Sequence, residues 1–232
     1  MSTIEKNIAK VGARIREAAQ AVGREPATVG LLAVSKTQPA AAIRDAFAAG
    51  LRDFGENYLQ EALDKQAEQA ELDDLPLTWH FIGPIQSNKT KAIAEHFDWV
   101  HSVDRLKIAQ RLSDQRPAAL PPLNICLQVN VSGEASKSGC APQEVQQLAR
   151  AITALPRLRL RGLMCIPAPS EDPAEQRAAF ARLRQLRDEL ALDLDTLSMG
   201  MSQDLEAAIA EGATWVRIGT ALFGARDYGR PQ

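Results

Sequence analysis

The chain has 232 residues, 45% of them apolar, and its 27 basic and 29 acidic side chains leave a formal charge of -2. That length and composition fit a single globular domain over residues 1–232, and the charge balance excludes a broad electrostatic footprint for nucleic acid or an anionic membrane. Three widely spaced cysteines, Cys126, Cys140 and Cys165, offer neither a disulfide framework nor a metal-binding spacing, which suits a reducing cytoplasm.

Apolar residues at Ile4, Ile8, Val11, Ile15 and Ala18-Ala19 recur at helical spacing and stop at Gly23 and Pro26. They predict a helix ahead of the first strand rather than an export signal, and no apolar run approaches the ~20 residues that span a bilayer. Strand patterns follow at Val29–Ser35, Asp53–Glu56, Thr78–Gly83, Trp99–Ser102, Leu123–Val131, Leu160–Cys165, Thr196–Met199 and Trp215–Gly219. Between and after them lie helical patterns at Ala40–Ala49, Asn57–Glu71, Asn88–His96, Arg105–Arg116, Pro142–Ala154, Pro173–Leu190, Gln203–Glu211 and from Thr220. This repeated alternation predicts an α/β fold, a single (β/α)8 TIM barrel with an extra N-terminal helix. The proline-rich stretches near residues 116–122 and 167–170 read as loops within it.

In such a barrel the ligand site is built at the carboxyl ends of the strands. Those ends supply Lys36, Glu56-Asn57, His80 with Ile82-Gly83, His101-Ser102, Asn130-Val131-Ser132, Met164-Cys165, Ser198-Met199-Gly200-Met201-Ser202 and Arg217-Ile218-Gly219-Thr220. Lys36 follows a branched apolar run, where it is either an amine able to attack an aldehyde or a lysine that snorkels to the rim. Gly200-Met201-Ser202 and Gly219-Thr220 each pair a glycine with a hydroxyl at a helix start. Such pairs suit a phosphate in the last two loops of a barrel, the alternative being ordinary helix capping by Ser202 and Thr220. Arg217 alternates with apolar neighbours and points into the barrel or its mouth, where an acid such as Glu56 neutralises it or a ligand acceptor meets it.

A reactive lysine, a two-loop phosphate cup and an inward arginine together suggest pyridoxal 5'-phosphate. Arginine cannot accept the ring proton that makes this cofactor a strong electron sink, so carbanion chemistry is poorly supported. Capture of a sugar or keto-acid carbonyl by the same lysine stays open at this level.

The same residues lie in longer segments, Ala33-Val34-Ser35-Lys36-Thr37, Phe54-Gly55-Glu56-Asn57-Tyr58-Leu59-Gln60-Glu61, residues 79–89, Gly162-Leu163-Met164, residues 197–204 and residues 216–224, which reach across nearly the whole chain. As a set they resemble the pyridoxal-phosphate homeostasis proteins, which are similar to the barrel domain of alanine racemases. The resemblance implies that Lys36 carries the cofactor as a Schiff base, that Ser202, Gly219 and Thr220 hold its phosphate, and that Arg217 approaches the ring nitrogen. It further implies that Asn57 and Met199 line the pocket, with no catalytic residue and no metal. Lys89 and Lys137 read as surface lysines, with secondary acceptance of the cofactor as the alternative. Gln38 stands where some relatives carry a second lysine, and the tail from Tyr228 to Gln232 lacks the lysine pair of some members.

Racemases of this relationship take a tyrosine base from a second, β-rich domain, which is not expected here; the chain's tyrosines are Tyr58 and Tyr228. Two-base racemisation then lacks its second base. The expectation is a monomeric cytoplasmic carrier that buffers or delivers the cofactor, meeting apo-forms of enzymes transiently and neither nucleic acid nor membrane. A weak racemase or another imine-forming enzyme is the alternative.

Overall fold

The computed structural model describes residues 2–68, 72 and 74–224. Helix α1 (Thr3–Ala21) opens with a capping box in which Ser2 and Glu5 each satisfy the other's backbone N–H, and the chain leaves it through Gly23 at φ +68°. Eight strands then alternate with helices: β1 (Gly30–Val34), α2 (Ala40–Ala48), β2 (Asp53–Glu56), α3 (Leu59–Gln66), β3 (Thr78–Phe81), α4 (Thr90–His96), β4 (Trp99–Val103) and α5 (Leu106–Gln115) form the first half. The second half is β5 (Leu123–Gln128), α6 (Val145–Thr153), β6 (Leu158–Met164), α7 (Pro173–Glu189), β7 (Thr196–Ser198), α8 (Leu205–Ala210), β8 (Trp215–Ile218) and α9 (Thr220–Phe223). All neighbouring strands are parallel and β8 pairs with β1, closing the barrel in chain order.

The expected fold is therefore present, with shifted ends. The strand expected to reach Val131 stops at Gln128: Val129 still donates to the Met164 carbonyl of β6, and Asn130 bonds Cys140 instead. The strand expected from Leu160 begins at Leu158, and the one expected to reach Gly83 stops at Phe81. Helix α3 ends at Gln66, while the Glu71 end expected for it lies outside the described residues.

Alternation along each strand sorts the side chains into two layers. Outward residues such as Ala33, Phe54, Phe81, Val100, Ile125, Leu163, Leu197, Val216 and Ile218 join the helices in one large apolar core. Inward residues form the smaller clusters Leu32, Val34, Ile82 and Trp215, and Trp99, Cys126 and Met164. Gly30 makes room for this filling, since a Cβ there would sit 2.5 Å from the Trp215 ring. Strand β7, with three residues, is the shortest, and past its Ser198–Trp215 pair main-chain bonds from Met199 to Trp215 and from Arg217 to Gly200 tie the loop that follows to β8.

Candidate functional site

Lys36 lies two residues past β1 in a tight turn, half-buried, with Thr37 next to it at φ +64°. A threonine in this left-handed region is strained, so its surroundings must hold it. They do: Glu61 accepts the Thr37 N–H, Ser35 Oγ donates to Glu56 Oε1 at 2.6 Å, and Lys65 Nζ donates to the Ser35 carbonyl at 2.8 Å. Lys65 also bonds Glu56 Oε1 at 2.8 Å and Glu61 Oε1 at 2.6 Å. A buried ion pair from β2 and α3 thus grips the turn that presents Lys36. Burial pushes the Glu56 carboxyl above its ordinary value, against the pull of Lys65 and Ser35.

Glu56 Oε1 is thus taken by Lys65 and Ser35, its Oε2 is buried without a partner among the described residues, and the partners of Arg217 lie elsewhere. Arg217 is buried, and its guanidinium donates to Ser198 Oγ at 2.8 Å and to the Cys165 carbonyl at 2.9 Å, both neutral acceptors. Desolvation lowers its pKa, while the Cys165 and Asp204 fields act against that shift. Burial likewise pushes the Cys126 and Cys165 thiols up to about 12, so neither is a thiolate at neutral pH.

Ser202 lies within the connection from β7 to α8, and Gly219 is the single residue between β8 and α9, which begins at Thr220. Gly200, at φ +96°, leaves no room for a side chain, as a Cβ would lie 2.5 Å from that of Ala208. Helix α1 braces this region: Arg14 donates to the Ser202 carbonyl at 3.0 Å and pairs with Glu206, and Asn7 donates to the Leu222 carbonyl in α9 at 2.9 Å. Asn57 follows β2 against Gly83, where a Cβ would lie 2.1 Å from the Asn57 carbonyl. Its Oδ1 is a buried acceptor without a partner among the described residues.

The turn after β1, Asn57 after β2 and the connections after β7 and β8 all belong to the carboxyl ends of neighbouring strands, in the order β7-β8-β1-β2. Met199 differs from the others: its side chain is fully buried in the outer core, so only its main chain faces the loop. His80 and His101, grouped by sequence with the rim, lie inside the barrel instead, bonded to one another. Lys65 and Asp53 escaped sequence reasoning altogether. A Glu61–Lys65 pair four apart on a helix ordinarily marks a solvated face; the one available signal was Ala62, which puts Lys65 on the same apolar stripe.

The alanine racemase N-terminal domain family matches residues 7–227. The pyridoxal phosphate homeostasis protein of Pseudomonas aeruginosa is 79% identical over 231 residues, covering 100% of this chain and 99% of that one. The chain belongs to the pyridoxal phosphate homeostasis protein family. Another member, from Escherichia coli, is 55% identical over 237 residues, covering 99% of this chain and 100% of its own. The structure of PipY from Synechococcus elongatus with PLP bound is 41% identical with a TM-score of 0.83, covering 95% of this chain and 100% of that one. The alanine racemase from E. faecalis, at 17% identity and a TM-score of 0.70 over 96% of this chain and 58% of its own, shares the fold. The segments that carry Lys36, Asn57, Arg217 and the two glycine-hydroxyl pairs all fall within the residues matched to the racemase domain family.

Proposed function

We propose that the mouth of this barrel holds pyridoxal 5'-phosphate through a reversible covalent link to Lys36 Nζ, and that the protein buffers and delivers the cofactor. The observation that carries this reading is the set of strand ends around Lys36: a clamped amine after β1, an orphaned buried acceptor on Asn57, glycine-shaped connections after β7 and β8, and an inward arginine held by neutral groups. Those donors and acceptors suit an aldehyde, a phosphate and a ring nitrogen in one ligand. PipY, a relative of 41% identity with PLP bound, supports the same ligand.

When bound, the cofactor supplies an aldehyde that an amine captures reversibly and a ring that withdraws electrons strongly only when its nitrogen is protonated. Ser202, Gly219 and Thr220 hold the phosphate, with Met199 shaping the loop through its main chain, and Asn57 lines the ring pocket. Arg217 donates toward the ring nitrogen and cannot take a proton from it, so the site holds the cofactor without driving carbanion formation. Tyr58, the one tyrosine among the described residues, is exposed on the connection after β2 and serves no second base. Among the described residues no helix is long and apolar enough to cross a membrane. A monomer working in the cytoplasm and touching apo-enzymes transiently fits this role.

Purified protein is expected to show an absorption band near ~420 nm that Lys36→Ala abolishes. Borohydride trapping followed by peptide mass spectrometry is expected to place the adduct on Lys36, and an apo-enzyme mixed with the loaded protein is expected to regain activity. An adduct elsewhere, or amino-acid racemisation sustained at about 1 per second or faster, would overturn the proposal.

A further inference from the structure

Five side chains from five strands form one unbroken hydrogen-bonded line through the barrel. Asp53 Oδ1 meets His80 Nε2 at 2.9 Å, His80 Nδ1 meets His101 Nε2 at 2.9 Å, and His101 Nδ1 meets Ser198 Oγ at 2.7 Å. Arg217 Nη1 then donates to Ser198 Oγ at 2.8 Å. Asp53 opens β2 at the foot of the barrel with its side chain 29% exposed, whereas His80, His101 and Ser198 are fully buried. His80 is wedged between the rings of Trp99, stacked at 5.4 Å, and Trp215, edge-on at 5.3 Å.

The two ends dictate the direction of every proton between them. An ionised carboxylate only accepts, so His80 must donate from Nε2. A neutral His80 then accepts at Nδ1, which makes His101 Nε2 a donor and His101 Nδ1 an acceptor. Ser198 must therefore donate its hydroxyl proton to His101 and turn a lone pair toward Arg217, which can only donate. Burial holds both imidazoles below their ordinary pKa, against Asp53 and Asp98 at His80 and reinforced by His80 and Arg217 at His101, and this keeps them neutral as the scheme requires.

We propose that Asp53, His80, His101 and Ser198 are positioning residues for Arg217: a one-way hydrogen-bond chain, anchored on a carboxylate at the far end of the barrel, fixes how the guanidinium is presented at the mouth. The functional half of this inference rests on the reading that Arg217 meets the ring nitrogen of the cofactor; the direction of the chain does not. If the chain breaks at Asp53, both tautomers are released, the Ser198 hydroxyl can rotate, and Arg217 loses a defined acceptor.

Nitrogen-15 NMR of histidine-labelled protein tests the direction in the wild type. For both His80 and His101, Nε2 should carry the proton and Nδ1 should be bare at neutral pH, with both rings titrating below the ordinary imidazole range. Asp53→Ala should change the tautomer of His101, which Asp53 does not bond, and Asp53→Glu should restore it. Titration of the apo-protein with pyridoxal 5'-phosphate, followed at the Lys36-dependent band, should show binding weakened about three- to tenfold in Asp53→Ala. That loss should largely disappear when Arg217→Lys is already present, because the coupling runs through the guanidinium. A proton on Nδ1 of either ring, an unchanged affinity in Asp53→Ala, or an effect additive with Arg217→Lys would overturn the inference. A wild type with no Lys36-dependent band would instead sink the cofactor reading, and the NMR measurement would then decide the chain's direction alone.

Discussion

Lys65→Met should test the clamp beneath Lys36 most directly. The substitution keeps an unbranched apolar stem of similar reach but removes three short contacts, to Glu56 Oε1 at 2.8 Å, Glu61 Oε1 at 2.6 Å and the Ser35 carbonyl at 2.8 Å. Glu61 can turn to water, whereas Glu56 is fully buried and keeps only Ser35 Oγ. Breaking a buried pair while leaving one charge behind costs about 3–5 kcal/mol. The loss should depend on pH with a definite sign. Lys65 is the main influence holding the raised Glu56 pKa down, so removing it lifts that value further. The variant's native state then binds a proton over a pH range in which the unfolded chain has released it. Its deficit should be largest near pH 8 and shrink toward acid by about 1.4 kcal/mol per pH unit at most. Urea unfolding of both proteins across that range measures the difference, and adding Glu56→Gln to Lys65→Met should recover at least half of it. A deficit below about 1 kcal/mol, one indifferent to pH, or a double variant no more stable than the single would refute a buried charge pair at this turn.

His80 and His101 have lowered pKa values, so stability should fall as the pH drops below about 6.5 and the unfolded chain takes up protons, by at most about 1.4 kcal/mol per unit for each ring. Glu56 and Asp204, whose burial raises them, act in the opposite sense, so the test is the comparison with a His80→Gln, His101→Gln variant: urea midpoints whose pH dependence between about 7 and 5.5 is the same in both proteins would contradict this sign. Arg14→Ala combined with Asn7→Ala removes the braces on the Ser202 and Leu222 carbonyls and should weaken cofactor binding about three- to tenfold with little change in circular dichroism. Gly200→Ala forces a side chain into φ +96° and onto Ala208, and should cost about 1–3 kcal/mol in a thermal melt, together with cofactor retention.

The barrel could be read from the chain because each parallel strand, covered on its outer face by helices, needs an apolar run, and eight such runs alternate with helical spacing. The places of Lys36, Asn57 and the glycine-hydroxyl pairs were readable for a related reason, since polar residues after apolar runs mark the mouth, and that of Arg217 from its alternation with apolar neighbours within β8. Strand ends were less clear where polar residues sit within the ladder. Arg159 and Arg161 mask the start of β6, and Arg161 earns its place by lying 4.6 Å over the Trp99 ring and pairing with Asp195. The connection of the interior line from Asp53 to Arg217 left no local trace, although four of its members stood out as polar residues in or at the ends of strands. Its members come from strands distant in sequence, and each taken alone is an isolated polar residue whose partner only the closed barrel supplies.

Asn7 and the Leu222 carbonyl meet across 215 residues of sequence, and β1 is sealed only by β8. At a translation rate of about 5–20 residues per second, Lys36 leaves the ribosome roughly ten seconds or more before its counterpart loops exist. On the proposed reading of Lys36, cofactor capture then has to wait for the eighth strand, because the connections after β7 and β8 are the last parts of the mouth to be synthesised.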